Sequence, residues 1–270
     1  MNEWIDPVIF SLGPLQVRWY GAMYVLGFVV GGMLLKYLAT KKFWPLPKEE
    51  IDRFITWLII GMFLGARFFY VVLYNWDYYS TNLMDSFAVW KGGLSFHGAV
   101  FGMCVMIYFF AKKHKLHFFQ IADCAAIAGC PGMLFGRMGN FINGELYGRV
   151  TDSWVGIVFP GGGPFPRHPS QLYEGFSEGI LLFIILFFLH KRQRFYGVVS
   201  SVFLLGYGTF RFIVEFFREP DTQLGYYFGY FTMGQFLCLG MILLSLILLK
   251  IAKTSNIKNP CIVSRNGPNS

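Results

Sequence analysis

Charge is scarce in this chain: Asp, Glu, Lys and Arg together make up 14% of its 270 residues, against 55% hydrophobic and 20% aromatic. That shortage excludes a single water-soluble core, which could not hide so much apolar surface, and makes the bilayer the solvent. Cysteine is sparse too. Cys104, Cys124, Cys130, Cys238 and Cys261 form no CxxC pair, and four of them lie inside apolar stretches, so neither a disulfide framework nor a zinc site is expected. The sequence holds no phosphate-cradling P-loop, no dinucleotide fingerprint, no internal repeat and no low-complexity tract. Ahead of the first apolar block stands no basic region followed by a small-residue cleavage site, so a cleavable signal peptide is not expected. Acidic residues are the rarer sign, leaving a formal charge of +8. In a soluble chain that surplus would suggest nucleic acid; here the lysines cluster between apolar runs, where anionic lipid heads and topology account for them.

What is present is a series of apolar runs. A membrane-crossing helix needs about 20 mostly apolar residues, and seven stretches qualify: 19–39, 54–74, 94–111, 118–137, 171–189, 197–217 and 231–249. The fold class expected is an all-α, polytopic integral membrane protein with seven transmembrane helices. Fifteen basic residues fall after the first, third, fifth and seventh stretches, among them Lys36, Lys41, Lys42, Lys112, Lys113, Lys191, Arg194 and Lys258. The excess of Lys and Arg marks cytoplasmic loops, which puts the N-terminus outside and the C-terminus in the cytoplasm. Residues 1–250 read as one transmembrane domain with an outer-face loop region over about 138–170, and 251–270 as a disordered cytoplasmic tail.

The remaining basic residues are Lys91 and seven arginines: Arg18, Arg67, Arg137, Arg149, Arg167, Arg211 and Arg218. Topology needs only positive charge, which lysine supplies. A planar fork of donors is what bidentate recognition of phosphate or carboxylate needs. The stretch GCPGMLFGRMGNFINGELYGR, residues 129–149, concentrates this chemistry: Pro131 and five glycines read as an interruption of helix at membrane depth, followed by Arg137, Asn140, Asn143, Glu145 and Arg149. In the sixth stretch Tyr207, Arg211 and Glu215 fall at i, i+4 and i+8, with Arg218 three further on, so phenol, guanidinium and carboxylate share one helical face. His97 lies at the outer start of the third stretch, level with Arg137 and Arg211. The fifth opens RHPSQLYEGFSE, with Gln171, Glu174 and Glu178 polar at its entrance, and Tyr20 sits between Arg18 and Gly21 at the start of the first.

These residues resemble one family. GRMGNFINGELYGR is similar to the signature of the bacterial prolipoprotein diacylglyceryl transferases, and the likeness extends to DPVIFSLGPLQVRWYG, GGLSFHG, RHPSQLYE and GYGTFRFIVEFFREPD, covering nearly all seven stretches in order. Ala99 stands where the family has a glycine after His97, and the loop over 150–166 is short. The resemblance implies a multi-pass enzyme of the bacterial inner (plasma) membrane. Its partners would be phosphatidylglycerol and the lipobox peptide of a preprolipoprotein; its reaction would move the diacylglyceryl group to the lipobox cysteine and release glycerol phosphate. It carries Tyr20, His97, Arg137, Asn140, Asn143, Glu145, Gly148, Arg211 and Glu215 over as site residues. The chemistry then assigns Arg137 and Arg211 as a phosphate clamp, Asn140 and Asn143 as further donors, His97 as the thiol base and Glu215 as the residue orienting Arg211; Tyr207, Glu145 and Gly148 complete the phosphatidylglycerol site. No cofactor and no metal enter this scheme. Two other classes share the features: an anion carrier calls for repeat symmetry between halves, which is not found, and a retinal photoreceptor needs a lysine in the last helix, where 231–249 has none.

Overall fold

A computed structural model describes residues 4–13, 15–88, 92–193, 195–219 and 231–254. Of the basic residues that set the expected topology, Arg194, Lys258 and Arg265 lie outside the described residues, as do Lys91, Cys261, Asp221 and most of the expected tail.

The described residues are mostly helical. The long runs are α1 (Trp19–Thr40), α2 (Glu49–Phe69, continued by a π-helical turn over Tyr70–Tyr74), α4 (Phe96–Lys113), α5 (Phe118–Ile142), the run α6 (Ser170–Glu174), π-helical Gly175–Leu181 and α7 (Leu182–His190), then α8 (Val198–Val214) and α9 (Met233–Thr254); α3 is the short Trp76–Tyr79. Five of these runs, Trp19–Thr40, Glu49–Tyr74, Phe118–Ile142, Ser170–His190 and Met233–Thr254, are long and apolar enough to cross a membrane. This is an integral membrane protein. α8 is also apolar but has only 17 residues, which at about 1.5 Å per residue reach roughly 25 Å against a hydrocarbon core of roughly 30 Å. Large apolar side chains face outward, with Val25, Met33, Leu64 and Leu243 all more than 60% exposed, as lipid-facing positions are.

Two expectations need correction. The N-terminal segment adds a β-hairpin to the all-α reading: β1 (Val8–Leu12) pairs antiparallel with β2 (Leu15–Arg18), with an irregularity between Val8 and Phe10. Asp6 helps to start it by accepting from the Val8 N–H at 2.8 Å. Residues 129–142 are not interrupted backbone. α5 runs through Pro131 to Ile142, and glycine there serves packing: a Cβ on Gly27 of α1 would sit 3.0 Å from Gly132 Cα, and one on Gly31 2.8 Å from the Ala128 carbonyl oxygen. The sequence cue was small side chains, read as helix breaking when they permit close approach.

The chain divides into two compact units, Lys36–Ala122 and Met1–Leu35 with Asp123–Ser270. In the first, α2 meets α4 through Gly61, Gly65, Gly98 and Gly102; a Cβ on Gly61 would lie 2.7 Å from the Gly102 carbonyl oxygen. Arg67, buried at the end of α2, directs its guanidinium to the carbonyls of Asp85, Ser86, Gly92 and Gly93 at 2.7–3.1 Å and faces the Tyr79 ring. It holds the loop together, so the seven arginines expected on the outer side do not all serve one site. In the second unit, Asp123 of α5 caps α8: its carboxylate accepts from Gly197 N at 2.8 Å, Ser200 N at 2.9 Å and Ser200 Oγ at 2.6 Å. Gly197 takes φ +92°, which an L side chain rarely adopts.

Candidate functional site

The end of α6 and the π-helical stretch after it place Glu174 and Glu178 in the protein interior, at 0% and 1% exposure. Such stretches widen a helix by one residue per turn and often mark functional positions. Glycine brings the next helix close: a Cβ on Gly179 would lie 2.6 Å from Leu134 Cβ, and one on Gly175 3.5 Å from Arg137 Cβ, so α5 rides directly over the stretch.

Three guanidiniums converge on Glu174. Arg137 Nη2 lies 2.6 Å from Glu174 Oε2, and Arg211 Nη1 and Arg218 Nη1 lie 2.9 and 3.1 Å from Oε1. Arg211 also reaches Glu215 Oε2 at 2.8 Å through Nη2, the i, i+4 pair read from the sequence. Glu215 is fixed from its other oxygen, which accepts from Thr232 Oγ1 at 2.9 Å. Room for that carboxylate comes from Gly234, where a Cβ would lie 2.8 Å from Glu215 Oε1. Tyr207 is half-buried beside the same charges and stacks on Phe203 at 6.2 Å. Glu178 Oε1 is buried without a hydrogen-bond partner. Burying charge in an apolar scaffold costs several kcal/mol per ion unless partners compensate, and here each cation has an acid within reach.

A second polar group begins one turn along α5 from Arg137. Asn140 Nδ2 donates to Glu145 Oε1 at 2.8 Å and Asn143 Nδ2 to the same oxygen at 3.3 Å. Each amide has another N–H to offer. The turn after α5 is tight: Gly144 and Leu146 have φ +65° and +58°. Leu146 is strained there as a non-glycine residue, and the start of α6 holds it, with Gln171 Nε2 donating to the Glu145 carbonyl at 2.6 Å and Ser170 Oγ to the Leu146 carbonyl at 3.0 Å. Gly148 N donates to the His168 carbonyl at 2.8 Å, and a Cβ at Gly148 would run into the Phe217 carbonyl oxygen, so glycine lets three segments meet. His168 Nδ1 lies 3.1 Å from the Tyr173 hydroxyl, and burial lowers its imidazole below the usual histidine range. Tyr20 packs on α5, its ring 3.0 Å from where a Cβ on Gly139 would stand, close to Asn140 and Glu145, and its hydroxyl is 3.2 Å from that of Tyr24.

Of the ten site residues expected from the sequence, the structure brings Arg137, Tyr207, Arg211 and Glu215 to the guanidinium cluster and Tyr20, Asn140, Asn143 and Glu145 to the amide group, with Gly148 at the adjoining backbone junction. His97 belongs to the other unit, where it is exposed in the first turn of α4 against Phe96; Ser95 caps that helix by accepting from Gly98 N at 3.2 Å. Glu174 is the residue that sequence reasoning left at the entrance. Its signal was electrical balance: Asp123, Glu174, Glu178 and Glu215 are the acids within the apolar stretches, and buried arginines need them. Of the other arginines expected on the outer side, Arg18 pairs with Gln16 at 2.8 Å, Arg149 Nε donates to the Arg218 carbonyl at 2.9 Å, and Arg167 donates to the Gly162 carbonyl at 2.8 Å and pairs with Glu219 at 2.9 Å.

Residues 7–251 match the family described as prolipoprotein diacylglyceryl transferase. Relatives named phosphatidylglycerol–prolipoprotein diacylglyceryl transferase are 50% identical in Oleidesulfovibrio alaskensis, over 92% of this chain and 93% of the relative, and 50% identical in Geobacter sulfurreducens, over 90% and 93%. The Vibrio campbellii relative of the same name is 47% identical over 91% of this chain and 90% of its own.

Proposed function

This chain belongs to the prolipoprotein diacylglyceryl transferase family, and from that premise we propose how its residues carry the reaction: transfer of the diacylglyceryl group of phosphatidylglycerol to a prolipoprotein, the first step of lipoprotein lipidation. The acceptor is the cysteine thiol of the lipobox. A carbon–sulfur bond forms at the diacylglyceryl carbon as its bond to the phosphate oxygen breaks; glycerol phosphate leaves with the electron pair, and the thiol proton passes to a base.

The two halves of that step differ in difficulty. A thiol of pKa about 8.5 needs only about 2 kcal/mol to ionise near pH 7. The departing phosphate gains charge in an apolar setting, where each charge-assisted hydrogen bond contributes about 1.5–3 kcal/mol. The clamp therefore carries more of the catalysis than the base. Arg137 and Arg211 are the clamp, Glu215 orients Arg211, and Asn140 and Asn143 offer further donors. Tyr207, Glu145 and Gly148 shape the lipid site beside them, with Tyr20 against Asn140. His97 takes the thiol proton. The observation that supports this reading is the convergence of Arg137 and Arg211 on one buried carboxylate within apolar helices.

The setting follows the same premise: a single transmembrane domain over 1–250 in the bacterial inner membrane, crossing seven times, with the N-terminus outside and residues 251–270 as a cytoplasmic tail. Both substrates reach the site from the bilayer. Purified protein incubated in detergent with phosphatidylglycerol and a lipobox peptide should add a lipid-sized mass to the peptide cysteine. Arg137→Lys should reduce that rate by about 100-fold, as loss of a transition-state donor does, and His97→Asn should change the pH–rate profile. Full activity in Arg137→Lys would refute the clamp; an unaltered profile in His97→Asn would remove the base.

A further inference from the structure

We infer that Glu174 is a positioning residue for the transfer reaction: one wholly buried carboxylate anchors Arg137, Arg211 and Arg218 by one nitrogen each and so sets where their remaining donors point. The inference rests on the phosphate-clamp reading and extends it from the cations to the anion that gathers them.

A carboxylate has two oxygens and about four acceptor directions. Glu174 meets Arg137 through Oε2 at 2.6 Å and Arg211 and Arg218 through Oε1 at 2.9 and 3.1 Å. A guanidinium has five N–H donors, so Arg137, paired at Nη2 alone, keeps most of its fork for another anion, while Arg211 is held at both Nη atoms by Glu174 and Glu215. Glu174 thus need not leave when a phosphate arrives. Its own position is fixed: the side chain is 0% exposed, the backbone lies where α6 passes into the π-helical stretch, and Gly175 beside it admits α5. Glu215 is 2.8 Å from Arg211 and 3.8 Å from Arg218, Glu178 lies buried nearby, and among the described residues Arg137 forms its ion pair with Glu174. Glu174 is therefore what ties the cation of α5 to those of α8 and the turn after it. Without its charge, three like charges repel with one fewer compensating anion among them, and the fork of Arg137 loses its fixed point.

The test is a steady-state series on the purified full chain in detergent, with phosphatidylglycerol and a lipobox peptide, comparing wild type with Glu174→Gln, Glu174→Asp and Arg137→Lys. Glu174→Gln should lower kcat about 100-fold while KM for the peptide stays within about twofold, the pattern of an interaction realised in the transition state. Glu174→Asp keeps the charge on a shorter stem and should recover about tenfold of that loss. A merely structural role would lower the thermal midpoint and the folded yield without this split or this rescue. Glu174→Gln with kcat within about threefold of wild type overturns the inference, as does a folded Glu174→Asp no better than Glu174→Gln. Should Glu174→Gln fail to fold, Glu174→Asp decides: kcat lowered about tenfold supports the anchor, and kcat within about twofold of wild type overturns it. Arg137→Lys separates the two levels, since its loss of activity beside an active Glu174→Gln removes the anchor alone, and full activity in both removes the clamp as well.

Discussion

At the scale of single residues, small side chains decide where charged ones stand. Gly234 leaves the space that Glu215 occupies, with a notional Cβ 2.8 Å from its Oε1. Gly234→Ala pushes that carboxylate away from Thr232 and disturbs its hold on Arg211, 2.8 Å away. The expected result is a kcat about tenfold lower, from misplacement alone, with phosphatidylglycerol-dependent transfer as the measurement; unchanged kcat would mean that Glu215 does not orient Arg211. The sequence disclosed part of this arrangement. Arg211 and Glu215 were legible because a helix puts i and i+4 on one face. Glu174 was not, because its partners Arg137 and Arg211 each lie 37 residues away along the chain, beyond any local periodicity. Arg67 misled in the opposite direction: the same residue type that points to phosphate recognition here satisfies backbone carbonyls.

Among the elements, the helices were legible and their ends were not. Apolar runs located every long helix because hydropathy is a property of the run itself. Termini depend on partners elsewhere in the chain. α8 begins where it does because Asp123, on α5, accepts from Gly197 N, Ser200 N and Ser200 Oγ. That carboxylate meets two otherwise unsatisfied amides and the positive end of the helix dipole. Asp123→Ala should destabilise the protein by roughly 2 kcal/mol, seen as a lowered thermal midpoint in detergent; a midpoint equal to wild type would mean that the cap contributes nothing. The hairpin of β1 and β2 and the uninterrupted α5 show the same limit. Proline and glycine announce a local preference, and tertiary packing overrides it when a neighbouring helix, as at Gly27 against Gly132, needs the close approach.

For the molecule as a whole, the alternation of basic and neutral loops gives the proposed orientation a direct check. In a variant without native cysteines, Trp154→Cys, at a position 94% exposed in the loop proposed to lie outside, should react with a membrane-impermeant maleimide on intact spheroplasts, and Lys115→Cys only after lysis; equal labelling of both would reject the orientation. The charge cluster also bears on how the protein comes to exist. A ribosome delivers Arg137 to the membrane first, then Glu174, and Arg211 and Arg218 only later, so for a time the glutamate has one of its three eventual partners. Until then Arg137 is the one cation beside Glu174 and buried Glu178, and uncompensated charge within an apolar membrane helix is unfavourable. A nascent chain halted after His190 is then a poor guest of the bilayer, and in pulse-chase it should be degraded faster than one halted after Thr254. Biogenesis of this enzyme thus acquires a checkpoint that its finished form no longer displays.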